Sequence, residues 1–141
     1  KRVGDKEAAV LEKEVGGDGT GKFYLLQDAY FRMNGGYFQE LEKLAQVLSI
    51  RYFGVELGKK QGKEWIPSHE WALSTLPKNG FAQHELSVEE ALDFLRKKEQ
   101  SFSELPLGWV LLTYQKLTLG WIKNLGKRAN NYYPKEWRIR N

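Results

Sequence analysis

Cysteine is absent from this 141-residue chain, and its absence excludes several kinds of chemistry. Without thiols the protein forms no disulfide, offers no thiolate nucleophile and lacks the usual ligands of structural zinc. The two histidines are too few to complete a metal site by themselves. We therefore expect no metal centre and no covalent catalysis through sulfur in these residues.

Long apolar segments are also missing from the chain. No stretch approaches the roughly 18 consecutive apolar residues of a membrane helix, and the N-terminal residues do not form a basic-then-apolar export signal. Hydrophobic residues make up 41% of the chain and charged residues 28%, a balance typical of a globular domain. We expect a cytoplasmic protein with no membrane partner.

Acidic residues become scarce toward the C terminus. Residues 1–105 contain 15 Lys and Arg against 17 Asp and Glu, whereas residues 106–141 contain 7 basic residues and a single acid, Glu136. The net charge of +4 therefore combines a weakly acidic body with a strongly basic last quarter. Aromatic residues are interleaved with these cations, which is typical of surfaces that bind phosphates and bases.

Helical and extended patterns alternate along the sequence and predict an α+β fold of two small lobes. Residues 37–48 have apolar side chains at helical spacing, and residues 50–65 read as a β-hairpin. Pro77, followed by Asn79 and Gly80, marks the best internal boundary. The predicted organisation is a flexible lead-in or linker at 1–22, an α+β bridging lobe at 23–77 and a mostly β lobe at 78–141.

The second lobe is predicted to contain one capped helix among its strands. Residues 87–90, Ser-Val-Glu-Glu, form a capping-box pattern that begins a helix after a short strand at 81–86. Residues 107–123 predict a hairpin, and Trp137 and Ile139 alternate with arginines as in a final strand. The cations at 96–98 fit two readings: they oppose the helix dipole, or they contact nucleic acid.

The glycine-rich segment from Gly16 to Lys22 has the spacing of a phosphate loop up to its lysine. The next residue is Phe23, where a Ser or Thr would bind magnesium. The segment that follows is also strand-like, where a phosphate loop requires a helix. We interpret these residues as a flexible loop or linker rather than a nucleotide site.

Other groupings with a catalytic composition have simpler explanations. Ser68-His69-Glu70 are neighbours at the start of a predicted helix and cannot face one another as a triad does. The carboxylate pairs Glu40/Glu42 and Glu89/Glu90 suit a solvated helix face and a cap. No catalytic residue is predicted.

The remaining signal is the basic, aromatic block over residues 120–138. Its cations can neutralise backbone phosphates, its tyrosines can stack on unpaired bases, and its asparagines can hydrogen-bond to base edges. In the alternative reading, Asn130 and Asn131 form a turn and the cations are ordinary solubilising surface residues. For Trp109, Trp121 and Trp137 we favour a position in the core. The candidate RNA-binding residues are Lys123, Asn124, Lys127, Arg128, Asn130, Asn131, Tyr132, Tyr133, Lys135 and Arg138.

At this block the sequence resembles the C-terminal region of bacterial RNA (cytosine-5) methyltransferases of the RsmF/Sun type. The resemblance covers about residues 23–140. The segments that carry it are RYFGVELGKK at 51–60, IPSHEWAL at 66–73, LSVEEALDFL at 86–95, GWVLLTY at 108–114, LGWIK at 119–123 and NNYYPKEWR at 130–138.

The resemblance implies a PUA-like β pseudobarrel over residues 78–141, preceded by a lobe that bridges to a catalytic domain. It also implies a parent enzyme that methylates cytosine in ribosomal RNA with S-adenosylmethionine. The catalytic cysteines of such enzymes lie upstream, so this chain would bind RNA without catalysis and hold no cofactor itself. The glycine-rich RNA-facing loop of better-known PUA domains has no counterpart at 82–87. The competing expectation is a structural module that packs on the catalytic domain and contacts little RNA.

Overall fold

The computed structural model describes residues 1–140, whose strands form two four-stranded sheets. The chain divides into two compact units, Lys1–Asn79 and a second unit that begins at Gly80. This division falls within the Pro77 to Gly80 segment that the sequence marks as a boundary. No helix among the described residues is long and apolar enough to cross a membrane.

The first unit combines three α-helices with an antiparallel sheet in the order β1-β2-β3-β4. A hairpin is present over Val55–Pro67, but its turn lies at residues 62–63 and not in the loop at 58–62 that the glycines indicate, because residues 58–61 pair with residues 64–67. The second strand was not predicted. The elements are α1 Asp5–Val15, β1 Gly21–Leu26, β2 Ala29–Asn34, α2 Phe38–Val47, β3 Val55–Gln61, β4 Glu64–Pro67 and α3 His69–Leu73, with a short 3-10 turn at Gly35–Tyr37.

The first 22 residues are folded, in contrast to the flexible lead-in predicted for them. Leu11 and Val15 of α1 are buried in the first unit. Helix α1 ends at Gly16, whose φ of 69° places it in the left-handed conformation that glycine adopts without strain. The charged face also holds α1 in place, because Glu7 accepts from Tyr30 and Lys60 at 2.8 Å and Glu12 pairs with Arg32 at 3.2 Å.

The glycine-rich loop after α1 is held by carboxylates. The Gly19 N–H donates to Oε1 of Glu12 at 2.9 Å, and the Thr20 N–H donates to Oδ1 of Asp18 at 3.0 Å. Arg32 then bridges the two acids, with its Nη2 3.2 Å from a carboxylate oxygen of each. In a phosphate loop the backbone amides bind the phosphate, whereas here the Gly19 and Thr20 amides are already bonded to carboxylates of the chain itself.

The second unit is a mixed sheet with one helix packed on it. Strand β5 runs parallel to β6, and the other pairs are antiparallel, in the order β5-β6-β7-β8. Strands β5 and β8 remain edges, so the α+β class is confirmed whereas these pairings do not close a barrel. The elements are β5 Ala82–Glu85, α4 Val88–Leu95, β6 Gly108–Tyr114, β7 Leu117–Asn124, β8 Ala129–Asn131 and a short 3-10 turn at Lys135–Trp137.

The capping box at the start of α4 is confirmed in full. Oγ of Ser87 accepts the Glu90 N–H at 3.2 Å, and Oε2 of Glu90 accepts the Ser87 N–H at 2.8 Å. The backbone hydrogen bond from Ser87 lowers the pKa of the Glu90 carboxyl. Helix α4 therefore begins where two of its free amides are satisfied by side chains.

Both faces of the β6–β7 hairpin are buried. Leu111 and Trp121 on one face are both 0% exposed. Helix α4 covers the other face, because Phe94 belongs to the same core cluster as Val110, Leu112 and Ile122. Edge strand β8 extends this sheet and brings the C-terminal segment alongside α4.

The final strand predicted around Trp137 and Ile139 is wrong. The Trp137 N–H donates to the Pro134 carbonyl at 3.1 Å in a 3-10 turn. The Ile139 N–H donates to the Leu95 carbonyl of α4 at 3.1 Å rather than to a strand. The alternation of side chains is present, but the backbone partner is a helix end.

Candidate nucleic-acid interface

The β7–β8 turn is anchored by Asn124, a residue predicted to contact RNA. Its Nδ2 donates to the carbonyls of Phe102, Leu105 and Pro106 at 2.9, 3.0 and 3.1 Å. Its Oδ1 accepts the Gly126 N–H at 3.1 Å. Asn124 is only 1% exposed, so it is a buried structural residue, and we remove it from the candidate contacts.

The turn that Asn124 anchors presents two exposed cations, Lys127 and Arg128. A hydrogen bond from the Leu125 N–H to the Arg128 carbonyl, 2.9 Å long, closes the turn. Within residues 1–140, neither cation forms an ion pair or a side-chain hydrogen bond. Their charges are therefore available to an external anion.

A polar and aromatic strip crosses the sheet beside this turn. Trp109 pairs with Lys123, and Lys123 pairs with Asn130, so the three side chains share one face. Nζ of Lys123 lies 6.0 Å from the centre of the Trp109 ring. The Tyr132 ring meets Trp109 edge-on at 4.5 Å. Asn130 is exposed, whereas Lys123 and Tyr132 are half-buried.

Asn131 and Tyr133 face α4 instead. Nδ2 of Asn131 donates to the Phe94 carbonyl at 2.8 Å, and its Oδ1 accepts the Tyr133 N–H at 2.8 Å. The Tyr133 ring packs 5.6 Å from the Phe94 ring at the edge of the core. These two predicted contacts therefore hold the C-terminal segment to the helix, which leaves Tyr132 as the tyrosine candidate for stacking.

Lys97 has a structural role that neither reading of the 96–98 cluster anticipated. Its Nζ donates to the carbonyls of Asn131 at 2.8 Å and Tyr133 at 2.6 Å. Burial lowers the pKa of the Lys97 ammonium. The lysine is thus a link between the end of α4 and β8, and it is not a surface cation.

The C-terminal segment exposes charge and one large aromatic ring. Lys135 and Arg138 are exposed, as predicted for phosphate contacts. Trp137 is 58% exposed, so its predicted core position is wrong, whereas the core position of Trp121 is confirmed. Charged residues surround Trp137 on both sides, Lys135 and Glu136 before it and Arg138 and Arg140 after it, and this density of charge was the one signal in the sequence that favoured a surface position.

Comparison with known proteins identifies the second unit. Residues 81–139 match the family described as the methyltransferase RsmF PUA domain. The second unit belongs to this family. The PUA domain thus covers all the elements from β5 to the 3-10 turn at Lys135–Trp137.

Curated relatives extend the similarity beyond the PUA domain. The chain is 31% identical over 102 residues to ribosomal RNA small subunit methyltransferase F of Shewanella frigidimarina (strain NCIMB 400). The matched region covers 63% of this chain and 21% of the relative. It is 30% identical over 98 residues to the protein of the same name from Salmonella newport (strain SL254), covering 69% of this chain and 20% of the relative. The chain therefore spans about a fifth of the length of these relatives.

The PUA domain retains part of the predicted contact set at its surface. Cations and one amide remain accessible for phosphate and base contacts, while a lysine and a tyrosine are half-buried beside them. The described residues contain no group of His, Asp or Glu that could hold a metal ion. The accessible candidates are Lys127, Arg128, Asn130, Lys135 and Arg138, with Lys123 and Tyr132 half-buried.

Proposed function

We propose that this chain is the noncatalytic RNA-binding region of an S-adenosylmethionine-dependent rRNA (cytosine-5) methyltransferase, and that it positions structured rRNA for a catalytic domain. The similarity to proteins named ribosomal RNA small subunit methyltransferase F supports the RNA class. The observation that carries the proposal is the β7–β8 turn of the PUA domain, where Lys127 and Arg128 are exposed and have no anionic partner among residues 1–140.

The chemistry of this surface suits binding that recognises the RNA backbone. Lysine and arginine contacts to phosphates fix the register of a nucleic acid but carry no sequence information. Tyr132 and the exposed Trp137 add ring surfaces on which bases can stack. Such a surface holds and orients RNA, and the choice of nucleotide would fall to the catalytic domain.

The absence of a nucleophile in the chain fits a noncatalytic role. Methylation at C5 of cytosine in this enzyme class uses a cysteine thiolate that attacks the base, and the chain contains no cysteine. S-adenosylmethionine and the nucleophile would be supplied by the part of the parent that lies outside these residues. We expect no methyl transfer from this chain alone.

The experiment measures the affinity of the 141-residue chain for a fluorescent stem-loop of small-subunit rRNA at several salt concentrations. Binding should weaken steeply with salt, because each phosphate contact releases counterions. The K127Q/R128Q variant should lower the magnitude of the log–log salt slope by about 2. The K116Q variant is the control, because Lys116 is exposed in the β6–β7 turn, at the opposite end of β7 from the β7–β8 turn.

A structural module is the second candidate, and one observation favours it. Leu107, 75% exposed, and Leu125, 43% exposed, flank the same turn, and such apolar residues suit a protein contact. If the chain binds no stem-loop even at low salt, the RNA-binding proposal fails. In that case L107S/L125S should weaken association with the catalytic domain.

A further inference from the structure

A cleft with a volume of about 330 Å³ opens at the C-terminal end of α4. Its lining consists almost entirely of cations. The lining residues are Arg96, Lys98, Arg138, Ile139 and Arg140. Three of these four cations lie outside the contact set predicted from the sequence, so the cleft is a distinct feature of the PUA domain.

The fold holds the two walls of this cleft in place. One wall is the end of α4, and the other is the C-terminal segment, which is tied to it by the Ile139 N–H on the Leu95 carbonyl at 3.1 Å. Lys97 adds hydrogen bonds to the carbonyls of Asn131 and Tyr133 along the same segment. Arg138 and Arg140 flank the anchored residue, and the Arg138 N–H also donates to the Lys135 carbonyl at 3.4 Å.

Two of the four cations of the cleft share one carboxylate. Oδ1 of Asp93 lies 2.9 Å from Nζ of Lys98 and 3.8 Å from Nη1 of Arg96. Arg138 and Arg140 form no ion pair or side-chain hydrogen bond among the residues that the structure describes. Nε of Arg96 is buried and lacks a hydrogen-bond acceptor in the same part of the chain. The cleft therefore holds an excess of positive charge and guanidinium donors without acceptors.

Stabilisation of the helix end does not account for this excess. The last carbonyls of α4 already have backbone partners: Leu92 accepts from Arg96 N, Asp93 from Lys98 N and Phe94 from Lys97 N, at 2.9 to 3.0 Å. The Leu95 carbonyl accepts from Ile139 N. The remaining helix dipole corresponds to roughly half an elementary charge, far less than the four cations. The guanidinium groups are therefore not needed as caps.

We propose that this cleft binds backbone phosphates of RNA and forms a second phosphate-contact site, an inference that rests on the RNA-binding function proposed above. Guanidinium groups bind phosphate oxygens through two parallel N–H donors, which suits the three arginines. The Ala129 N–H on the Gln100 carbonyl, 3.2 Å long, places the start of β8 beside the segment that follows α4. The strand that follows the β7–β8 turn is thus hydrogen-bonded to the segment that follows the cleft residues of α4, within the same domain.

The test compares three variants with the unchanged 141-residue chain, using the same labelled stem-loop and a salt series. R96Q/R140Q should weaken binding and lower the magnitude of the salt slope by about 2. D93N should strengthen binding, because it removes the only carboxylate paired with the lining cations among the described residues. K116Q again serves as the control. Circular dichroism and thermal unfolding check that each variant is folded.

The outcomes separate this inference from the function on which it rests. If R96Q/R140Q binds the stem-loop as the unchanged chain does while K127Q/R128Q is weakened, the cleft inference is overturned and the RNA-binding function stands. If the unchanged chain fails to bind at low salt, the proposed function is overturned as well. A titration with inorganic phosphate distinguishes the ligand source: saturable phosphate binding that R96Q/R140Q abolishes, with RNA binding unaffected, also overturns the inference.

Discussion

Asn124 shows how one amide can organise the surface on which the proposed function depends. Its Nδ2 donates to three carbonyls within residues 102–106, and its Oδ1 accepts the Gly126 N–H in the turn that contains Lys127 and Arg128. The polar residue that looked like a base contact in the sequence is therefore the support for its cationic neighbours. A buried amide with all its hydrogen bonds made specifies one local conformation, because any other leaves polar groups unpaired.

Replacing Asn124 by alanine should destabilise the chain by about 2–4 kcal/mol, because several buried carbonyls and one amide lose their partner. Urea unfolding of the variant measures this loss. Asn130→Ala is the matched control, since Asn130 is exposed on the adjacent strand and should change the free energy of unfolding by less than about 0.5 kcal/mol. Equal stability of the two variants would contradict the structural role of Asn124.

Helix α4 connects the core of the second unit to its C-terminal segment. Its start is fixed by the capping box, and its end holds the C-terminal segment through Leu95 and Lys97. The start was predictable because a capping box is a local signal, complete within four residues. The contacts at its end join residues more than thirty positions apart, so no local pattern in the sequence reveals them.

The capping box should also make the stability of the chain dependent on pH. Because hydrogen bonding lowers the pKa of Glu90 from 4.5 in the folded state, its contribution is complete above pH 4.5 and is lost as the pH falls through the lowered pKa. Glu90→Gln should therefore be less stable than the unchanged chain at pH 7. The difference should shrink toward pH 3.

Chemical unfolding at the two pH values measures this prediction. Glu89→Gln is the control, because the Glu89 carboxylate is next to Glu90 in the sequence but takes no part in the capping box. Ser87→Ala tests the other half of the motif and should cost about 1 kcal/mol. A difference between Glu90→Gln and the unchanged chain that is constant from pH 7 to pH 3 would show that the Glu90 charge does not contribute.

The sequence pattern did not predict the short strands β2 and β8, and it predicted a C-terminal strand that does not form. Strand β8 has three residues, two of them asparagines, and forms because β7 offers it an edge. Strand β2 likewise depends on pairing with β1 and β3 on its two sides. Alternation at Trp137 and Ile139 predicted a strand, yet the Ile139 N–H donates to the Leu95 carbonyl at the end of α4. Pairing partners, rather than propensity, decide such segments.

At the scale of the whole molecule, the distribution of charge was more informative than its total. The acid-poor last quarter predicted a nucleic-acid surface, and the family resemblance implied the PUA domain that contains it. Residues on exposed turns, such as Lys127, kept their predicted accessibility. Asn124 and Asn131 did not, because the same amide chemistry that reads a base also satisfies backbone carbonyls. Sequence identifies the chemistry, whereas burial decides whether an external ligand can use it.

This distinction gives a prediction about the whole chain. The K43Q/K63Q and K127Q/R128Q variants each remove two exposed positive charges, the first pair from α2 and the β3–β4 turn of the first unit. If RNA responded only to net charge, the two variants would lose affinity equally. If RNA contacts the PUA domain, K43Q/K63Q should bind almost as the unchanged chain does, with an unaltered salt slope, whereas K127Q/R128Q should lose about 2 in slope. Equal losses of affinity in the two variants would contradict a defined binding surface on the PUA domain and would indicate that RNA responds only to the net charge of the chain.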